Sequence, residues 1–265
     1  MRVALGIEYD GTAYNGWQRQ KTGTGVQSLV EAAISKVANK PVEVICAGRT
    51  DAGVHATSQV VHFDTNAERK ERGWVLGINT SLPDDVCVHW ATFVDDEFHA
   101  RFSASSRTYR YLILNRFVRS ALHRNRAWWV YEPLDDKAMQ AAADHLLGAH
   151  DFSAFRAARC QASTPNREIS RLQVSRSGDW LAVTVTANAF LQHMVRNITG
   201  VLVMIGRGDE EPFWAKSVLE SRDRTKGGVA APPHGLTLID VEYPNQFNIP
   251  RTRGQSTFFC DDASC

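Results

Sequence analysis

A chain of 265 residues is long enough for one large domain or two ordinary ones, and either can bury a core without disulfides or metals. Its hydrophobic fraction of 43% and charged fraction of 22% are close to the averages of soluble globular proteins, which argues against extensive disorder. The 30 basic and 29 acidic side chains leave a net charge of +1, so the overall charge does not indicate a nucleic-acid partner.

The N-terminal sequence and the cysteines indicate where in the cell the protein is located. Glu8 and Asp10 stand where a secretory signal would need an unbroken apolar stretch, and no apolar run reaches the length of a membrane helix. The cysteines lack the two-residue spacing of redox pairs and zinc knuckles, so we expect reduced thiols at Cys46, Cys87, Cys160, Cys260 and Cys265. We therefore predict a cytoplasmic protein.

The N-terminal half alternates strand, loop and helix patterns. Residues 2–9 alternate as in a strand, and the turn-rich loop GTAYNGWQRQKTGTG follows. Apolar residues at helical spacing from Val26 to Val37 predict a helix of about three turns, which Pro41 ends. The segments VEVIC and SQVVHF predict two strands that hold the glycine-rich turn AGRTDAGVHAT between them.

The C-terminal half repeats this pattern. Strands are predicted at RTYRYLILN, REISRLQVSRS and WLAVTVTA, and helices near 135–147, 190–205 and 211–221. The fold class is therefore α+β, with two units whose largely antiparallel sheets meet near 98–106 and enclose a central cleft. We predict an N-terminal domain at 1–104, a C-terminal domain at 105–245 and an extended tail at 246–265.

The turn GRTDAGVH is the first candidate for chemistry. Gly48 and Gly53 permit backbone angles that other residues resist, so they can present Asp51 at a turn, next to Arg49. Taken alone, an aspartate at such a position more often caps its own loop. The residues that surround Asp51 in the fold decide whether it is a loop cap or a catalytic group.

Arginine and aromatic side chains alternate in FHARFSASSRTYRYLI. Between Arg101 and Val130 there are seven arginines and no acid, whereas 61–100 has eight acids and three basic residues. Rings stack on splayed bases and guanidinium groups hold phosphates, so the segment suggests an RNA-binding surface, the alternative being a strand with one aromatic face in the core. The residues concerned are Phe98, Arg101, Phe102, Arg107, Tyr109, Arg110 and Tyr111.

The segment AFLQHMVRNITGVLVMIG predicts a largely apolar helix that carries His193 and Arg196 three residues apart. An arginine that points from such a helix toward a cleft needs a carboxylate partner, because burying an unpaired guanidinium is costly. We expect Asp51 to be that partner, which would keep its carboxylate ionised at neutral pH. The nine histidines are otherwise scattered, and we predict structural roles for them.

The last motif is APPHGLTLIDVEYP, a rigid loop that leads into an alternating strand, which we expect at the edge of a sheet. Leu236 at its start could pack against a bound base. The chain contains no Walker-type loop, dinucleotide fingerprint, paired zinc ligands or Gly-x-Ser-x-Gly elbow, so we expect neither a cofactor nor a metal.

Together these segments resemble the TruA family of transfer RNA pseudouridine synthases. GIEYDGTAYNGWQRQ, GRTDAGVHA, FHARFSASSRTYRY, FLQHMVRNITG and APPHGL occur in the family's order and spacing over residues 5–245. The resemblance implies two RRM-like halves around a central catalytic cleft with helices on the outer face. It also implies a homodimer that grips transfer RNA, no cofactor, and pseudouridine formation at positions 38, 39 and 40 of the anticodon arm.

The resemblance also implies roles for five residues. Asp51 is the catalytic aspartate, and Arg196 is its ion-pair partner. Tyr109 contacts the substrate beside the target base. Arg49 helps to displace the base and hold its phosphate, and Leu236 is an apolar contact to the uracil. One departure from the family pattern is Ser58, where many relatives have glycine.

Several mechanistic and functional alternatives stay open. Asp51 could attack the ribose, attack the uracil ring or take a proton from the sugar, and Tyr109 could remove the proton from carbon 5. An RNA-binding or RNA-chaperone protein could use the same basic cleft, and a pseudouridine synthase could act on other RNAs. A carboxylate beside phosphates would hinder mere binding, which favours the enzyme.

Overall fold

The computed structural model describes residues 1–20, 22–158 and 160–250. The strands are β1 (Arg2–Tyr9), β2 (Ile45–Cys46), β3 (His55–Asp64), β4 (Val86–Val94), β5 (Ser106–Asn115), β6 (Trp128–Val130), β7 (Gly148–Asp151), β8 (Asn166–Ser177), β9 (Trp180–Ala187) and β10 (Leu236–Glu242). The helices are α1 (Val26–Ala38), α2 (Glu71–Asn79), α3 (Asp136–Asp144), α4 (Met194–Gly206) and α5 (Trp214–Ser221).

All ten strands form one sheet, in the order β4-β1-β3-β10-β5-β9-β8-β7, with β2 paired to β3 and β6 paired to β5. The pairs β3–β10 and β5–β6 are parallel, and the other pairs are antiparallel. The predicted α+β class with mostly antiparallel pairing is therefore confirmed. The sheet of one half continues directly into that of the other.

Strand β10 joins the two halves, so the expectation of an edge strand there was wrong. It lies between β3 and β5, and its register places Thr237 opposite His55 on one side and Leu238 opposite Tyr109 on the other. A single strand thus separates the segment that follows the GRTD turn from the strand that carries Tyr109. The fold thereby brings two distant parts of the chain to the same region of the sheet.

Helices cover both halves of the sheet. Helix α1 packs on α2, which packs on β4, while α3 contacts β8 and α4 contacts β5. The buried rings of Trp17 and Trp74 are among the largest side chains of the core. Within the described part of the chain, no helix combines the length and apolar character needed to cross a membrane.

The predicted helix at 190–205 begins four residues later, at Met194. His193, which precedes it, has a left-handed backbone with φ 64°, and this conformation interrupts a right-handed helix. The other two predicted helices of this half are also shorter than expected, at Asp136–Asp144 and Trp214–Ser221.

The predicted strand VEVIC is reduced to Ile45–Cys46. The amide of Val42 donates to Ser35 Oγ at 2.9 Å, and the amide of Val44 donates to Glu31 Oε1 at 3.1 Å. Side chains of α1 therefore take the hydrogen bonds that a longer strand would have used.

The predicted tail at 246–265 lies partly outside the described residues, since 251–265 are not among them. Asn245–Phe247 forms a 3-10 turn, and the ring centroid of Phe247 lies 5.3 Å from that of the buried Phe98.

Candidate active site

The GRTD turn lies between β2 and β3, and hydrogen bonds from neighbouring elements hold its first residues. Gln59 Nε2 donates to the carbonyl of Gly48 at 2.7 Å, and the Thr50 hydroxyl lies 2.7 Å from that of Tyr9. The amide of Trp17 donates to the carbonyl of Thr50 at 3.0 Å. These contacts fix the backbone on the N-terminal side of Asp51.

Glycines allow the turn itself. The amide of Val54 donates to the carbonyl of Asp51 at 3.1 Å, and Gly53 inside this turn has φ +77°, a value that favours glycine. Gly16 approaches the turn so closely that a Cβ atom there would lie 2.6 Å from the carbonyl oxygen of Thr50. The turn is therefore packed on the loop that follows β1.

Asp51 faces two basic side chains of the α4 region. Its Oδ2 atom lies 3.7 Å from Arg196 Nη1 and 3.6 Å from His193 Nε2. The side chain of Asp51 is 26% exposed and that of Arg196 is 15% exposed. The structure thus places the predicted partner beside the carboxylate while part of the carboxylate stays accessible to a substrate.

The role of His193 was missed from the sequence, although its spacing of three residues from Arg196 was a usable signal. Burial lowers the pKa of His193, and Arg196 and Arg224 lower it further, while Asp51 raises it. The ring is therefore largely neutral at pH 7. Arg196 supplies the positive charge that faces Asp51.

Tyr109 lies in β5 beside the turn. It is 7% exposed, its ring packs edge to face on Phe190 at 5.0 Å, and a Cβ atom on Gly48 would lie 3.7 Å from its hydroxyl. Burial raises the pKa of Tyr109, and the nearby Tyr9 and Asp51 raise it further. The hydroxyl is therefore protonated at neutral pH and can donate a hydrogen bond.

The other two predicted site residues differ in exposure. Arg49 is exposed at the turn and forms no salt bridge with any residue that the structure describes. Leu236 is 5% exposed and belongs to the core. The loop before it nevertheless contacts the turn, because a Cβ atom on Gly53 would lie 3.2 Å from Pro233 Cγ.

His55, four residues after Asp51, joins three loops around the turn. It is 2% exposed, its Nδ1 accepts the amide of Gly11 at 3.0 Å, and its Nε2 lies 2.8 Å from the carbonyl of Asn125 and 3.1 Å from that of His234. Burial lowers the pKa of His55, whereas the Asp10 carboxylate, whose Oδ1 lies 3.0 Å from Nδ1, raises it. These partners are distant in sequence, so no local pattern pointed to them.

The alternating aromatic and arginine side chains of 98–111 do not form one exposed surface. In β5 the alternative interpretation holds, since Tyr109 and Tyr111 belong to the core. Arg107 and Arg110 are 8% and 6% exposed. Arg107 donates to the carbonyls of Ala47 and Asn188 at 3.0 and 2.8 Å, because acceptors from other strands surround it. Arg110 donates to Thr184 Oγ1 at 3.2 Å.

The site offers a partly exposed carboxylate, a facing guanidinium and a protonated phenol. In the part of the chain that the structure describes, no group of three or more histidine, cysteine, aspartate or glutamate side chains could hold a metal ion. The arrangement suits chemistry at a single carboxylate, held in place before the substrate arrives.

Comparisons with known proteins show which family the chain is similar to. The family model described as tRNA pseudouridine synthase matches residues 6–103 and 142–244. A relative from Pseudoalteromonas atlantica named tRNA pseudouridine synthase A is 51% identical over 262 residues, which cover 99% of this chain and 100% of the relative.

Two further relatives carry the same name. The protein from Coxiella burnetii is 53% identical over 250 residues, covering 94% of this chain and 96% of its own. The protein from Vibrio campbellii is 53% identical over 251 residues, covering 95% of each chain. The chain therefore belongs to the tRNA pseudouridine synthase family.

Proposed function

We propose that this protein converts uridine to pseudouridine at positions 38, 39 and 40 in the anticodon stem-loop of transfer RNA, with Asp51 as the essential catalytic group. The observation that carries the proposal is the placement of Asp51, which faces Arg196 at 3.7 Å and keeps 26% of its side chain exposed. Membership of the synthase family and the names of the relatives support the same reaction.

The reaction needs no redox partner or group donor. The bond between C1′ and N1 breaks, the uracil turns within the site, and C1′ bonds to carbon 5. Carbon 5 then loses its proton to solvent, and N1 takes up a proton in return. Because the atoms of substrate and product are the same, we propose that the enzyme uses neither a cofactor nor a metal. Attack by Asp51 on ribose, attack on uracil and proton removal from the sugar all need an ionised carboxylate.

Arg196 and Arg49 have separate roles in this proposal. Arg196, held against Asp51 at 3.7 Å, orients the carboxylate. Arg49 is exposed on the same turn, which suits a guanidinium that holds a phosphate of the RNA after the target base leaves the stack.

Tyr109 and Leu236 are the residues that contact the target uracil. The phenol of Tyr109 is protonated, so we propose that it contacts the uracil as a hydrogen-bond donor, and removal of the proton from carbon 5 would first require its ionisation. Leu236 is 5% exposed, so its contact with uracil is limited to the edge that remains accessible.

We also propose a homodimer. Large apolar side chains stand exposed in the loop between β5 and β6, where Phe117 is 84% and Leu122 is 86% exposed. A second copy that covers them would remove an unfavourable apolar surface from water. Light scattering should give twice the chain mass, and a monomer mass at working concentration would refute the dimer.

The division into domains at 1–104 and 105–245 and the cytoplasmic location are further proposals. The family model supports the division, because its matches cover 6–103 and 142–244 and leave out the segment between them. The cytoplasmic location is proposed from the substrate, because the named relatives are bacterial and transfer RNA in bacteria is in the cytoplasm.

The test uses transfer RNA transcripts that retain a uridine at only one of positions 38, 39 and 40, together with a transcript that has none there. Pseudouridine should form in the first three and not in the fourth. Pseudouridine at another stem would support the proposed reaction but refute the proposed target positions. Tight binding of all four transcripts without product would instead support an RNA-binding protein.

A further inference from the structure

The aromatic residues of 98–111 differ sharply in exposure. Phe98 and Tyr111 are completely buried and Tyr109 is 7% exposed, whereas Phe102 is 76% exposed. The first three rings contribute to the core. Phe102 is therefore the aromatic ring of this segment that a ligand can reach.

The backbone around Phe102 holds its ring in place. The ring stacks on that of His99, with centroids 4.3 Å apart and an angle of 28° between the planes. His99 Nδ1 accepts the amides of Arg101 at 3.2 Å and Phe102 at 3.1 Å. Since the histidine that supports the ring is itself bonded to the same turn, little ordering remains to be done when a ligand binds.

Hydrogen bonds from Arg107 connect the turn that contains Phe102 to the segment just before the GRTD turn. Arg107 donates both to the carbonyl of Arg101 and, at 3.0 Å, to the carbonyl of Ala47, which lies four residues before Asp51. Arg107 is 8% exposed and its guanidinium spans the two segments. The exposed ring and the catalytic carboxylate thus belong to one hydrogen-bonded framework.

The charges near Phe102 are mixed. Arg101 Cζ lies 5.5 Å from the ring centroid. Burial raises the pKa of the Cys46 thiol to about 11, and both Arg49 and Arg101 act to lower it, so these two cations lie around the same thiol. However, the acids of 95–97 come shortly before the turn. Attraction of phosphate alone is therefore a weak reason for RNA to bind here.

We propose that Phe102, supported by His99, is a platform on which an unpaired nucleobase of the bound transfer RNA stacks, outside the site of Asp51, while Arg101 contacts the neighbouring phosphate. The inference rests on the proposed function for the identity of the RNA. Every base has a π-face, and stacking on an aromatic side chain is a common way to hold unpaired bases. The platform adds affinity and orientation and takes no part in bond breaking.

The test compares Phe102→Ala, Phe102→Trp and Phe213→Ala with the wild type. Phe213 is a matched control, because it is 57% exposed and also has a histidine and a cation beside its ring, namely His145 at 5.6 Å and Lys216 at 5.4 Å. Dissociation constants are measured for a transfer RNA transcript, an oligouridine and a fully paired RNA duplex. Circular dichroism and light scattering check fold and mass.

Phe102→Ala should weaken binding of transfer RNA and oligouridine by about tenfold and leave duplex binding unchanged. Phe102→Trp and Phe213→Ala should bind like the wild type. The dependence of affinity on salt should not change in Phe102→Ala, since no cation is lost.

Unchanged affinity of Phe102→Ala for transfer RNA, with a wild type that binds and makes product, would overturn the platform. A shift of Phe102→Ala from dimer to monomer would also overturn it, because the ring would then belong to a contact between copies. If the wild type makes no pseudouridine but Phe102→Ala still loses RNA affinity, the proposed reaction fails and the platform stands.

Discussion

Arg196 and Ala231 exchange two hydrogen bonds. The amide of Ala231 donates to the carbonyl of Arg196 at 3.0 Å, and Arg196 Nε donates to the carbonyl of Ala231 at 2.8 Å. The Nε atom is thereby occupied, and Nη1 lies 3.7 Å from Asp51. The guanidinium is consequently positioned by the loop before β10 as well as by its own helix.

We predict that Arg196→Lys lowers the single-turnover rate by about 10- to 100-fold while RNA affinity changes little, because lysine keeps the charge but cannot bond Ala231 and face Asp51 in the same geometry. Rates are measured at saturating transfer RNA. Arg222→Lys, at a side chain that is 70% exposed, is the control. A wild-type rate in Arg196→Lys would mean that charge alone is sufficient.

His193 should matter mainly at acid pH. Because burial lowers its pKa, the ring is neutral at pH 7 and gains a proton only below its ordinary range, where it would place a second positive charge beside Asp51. His193→Asn suits the left-handed backbone and cannot titrate. We expect rates close to wild type at pH 7.5 and a smaller loss of rate than in the wild type as the pH falls below 6. Identical pH profiles would exclude this role.

The stability of the fold should fall between pH 6.5 and pH 4. Burial lowers the pKa of His62 to about 4, with Arg2 and His99 lowering it further, so the unfolded chain takes up a proton before the folded one. Stability is therefore highest above pH 6.5, and the loss from this residue reaches at most ~3 kcal/mol. His62 Nδ1 accepts the amide of Ala100 at 3.0 Å.

His62→Asn keeps an acceptor for that amide and removes the titration. Its free energy of unfolding, measured by urea denaturation, should fall less with acidification than that of the wild type. Equal slopes for the two proteins would show that His62 does not contribute to acid sensitivity.

Two glycines should respond oppositely to alanine. A Cβ atom on Gly235 would lie 2.7 Å from the ring of Tyr111 and 2.9 Å from the carbonyl oxygen of Leu112, so we expect Gly235→Ala to destabilise by about 1–3 kcal/mol. Gly73 lies inside α2, where the nearest atom to a new Cβ is 3.9 Å away, so Gly73→Ala should stabilise by about 0.5–1 kcal/mol. Thermal unfolding midpoints that move in the same direction for both variants would contradict this account.

Local patterns predicted the features that depend on local physics. The periodicity of α1 and the alternation of β5 and β9 identified these elements, and the flanking strands located the GRTD turn. Helix α2 was not predicted. Its buried residues are just Trp74 and Ile78, which is too few for a clear apolar periodicity, and Gly73 and Gly77 lower its helix propensity.

Features that depend on distant partners could not be predicted. Arg107 appeared to be a surface cation in the sequence, but acceptors such as Ala47 and Asn188, far away along the chain, surround it in the fold. His55 likewise meets Gly11 because β1 pairs with β3, and it meets His234 because β10 pairs with β3 on the other side. The pairing of Asp51 with Arg196 could be inferred because a charge on an apolar helix needs a partner.

The most direct test of the central claim is tritium release from transfer RNA that carries 5-tritiated uridine, with wild type and Asp51→Asn compared at equal folded concentration. We predict release by the wild type and a loss of about 10⁴-fold or more in the variant, with transfer RNA affinity retained. Release by Asp51→Asn at a rate near that of the wild type would contradict the assignment of Asp51 as the essential catalytic group.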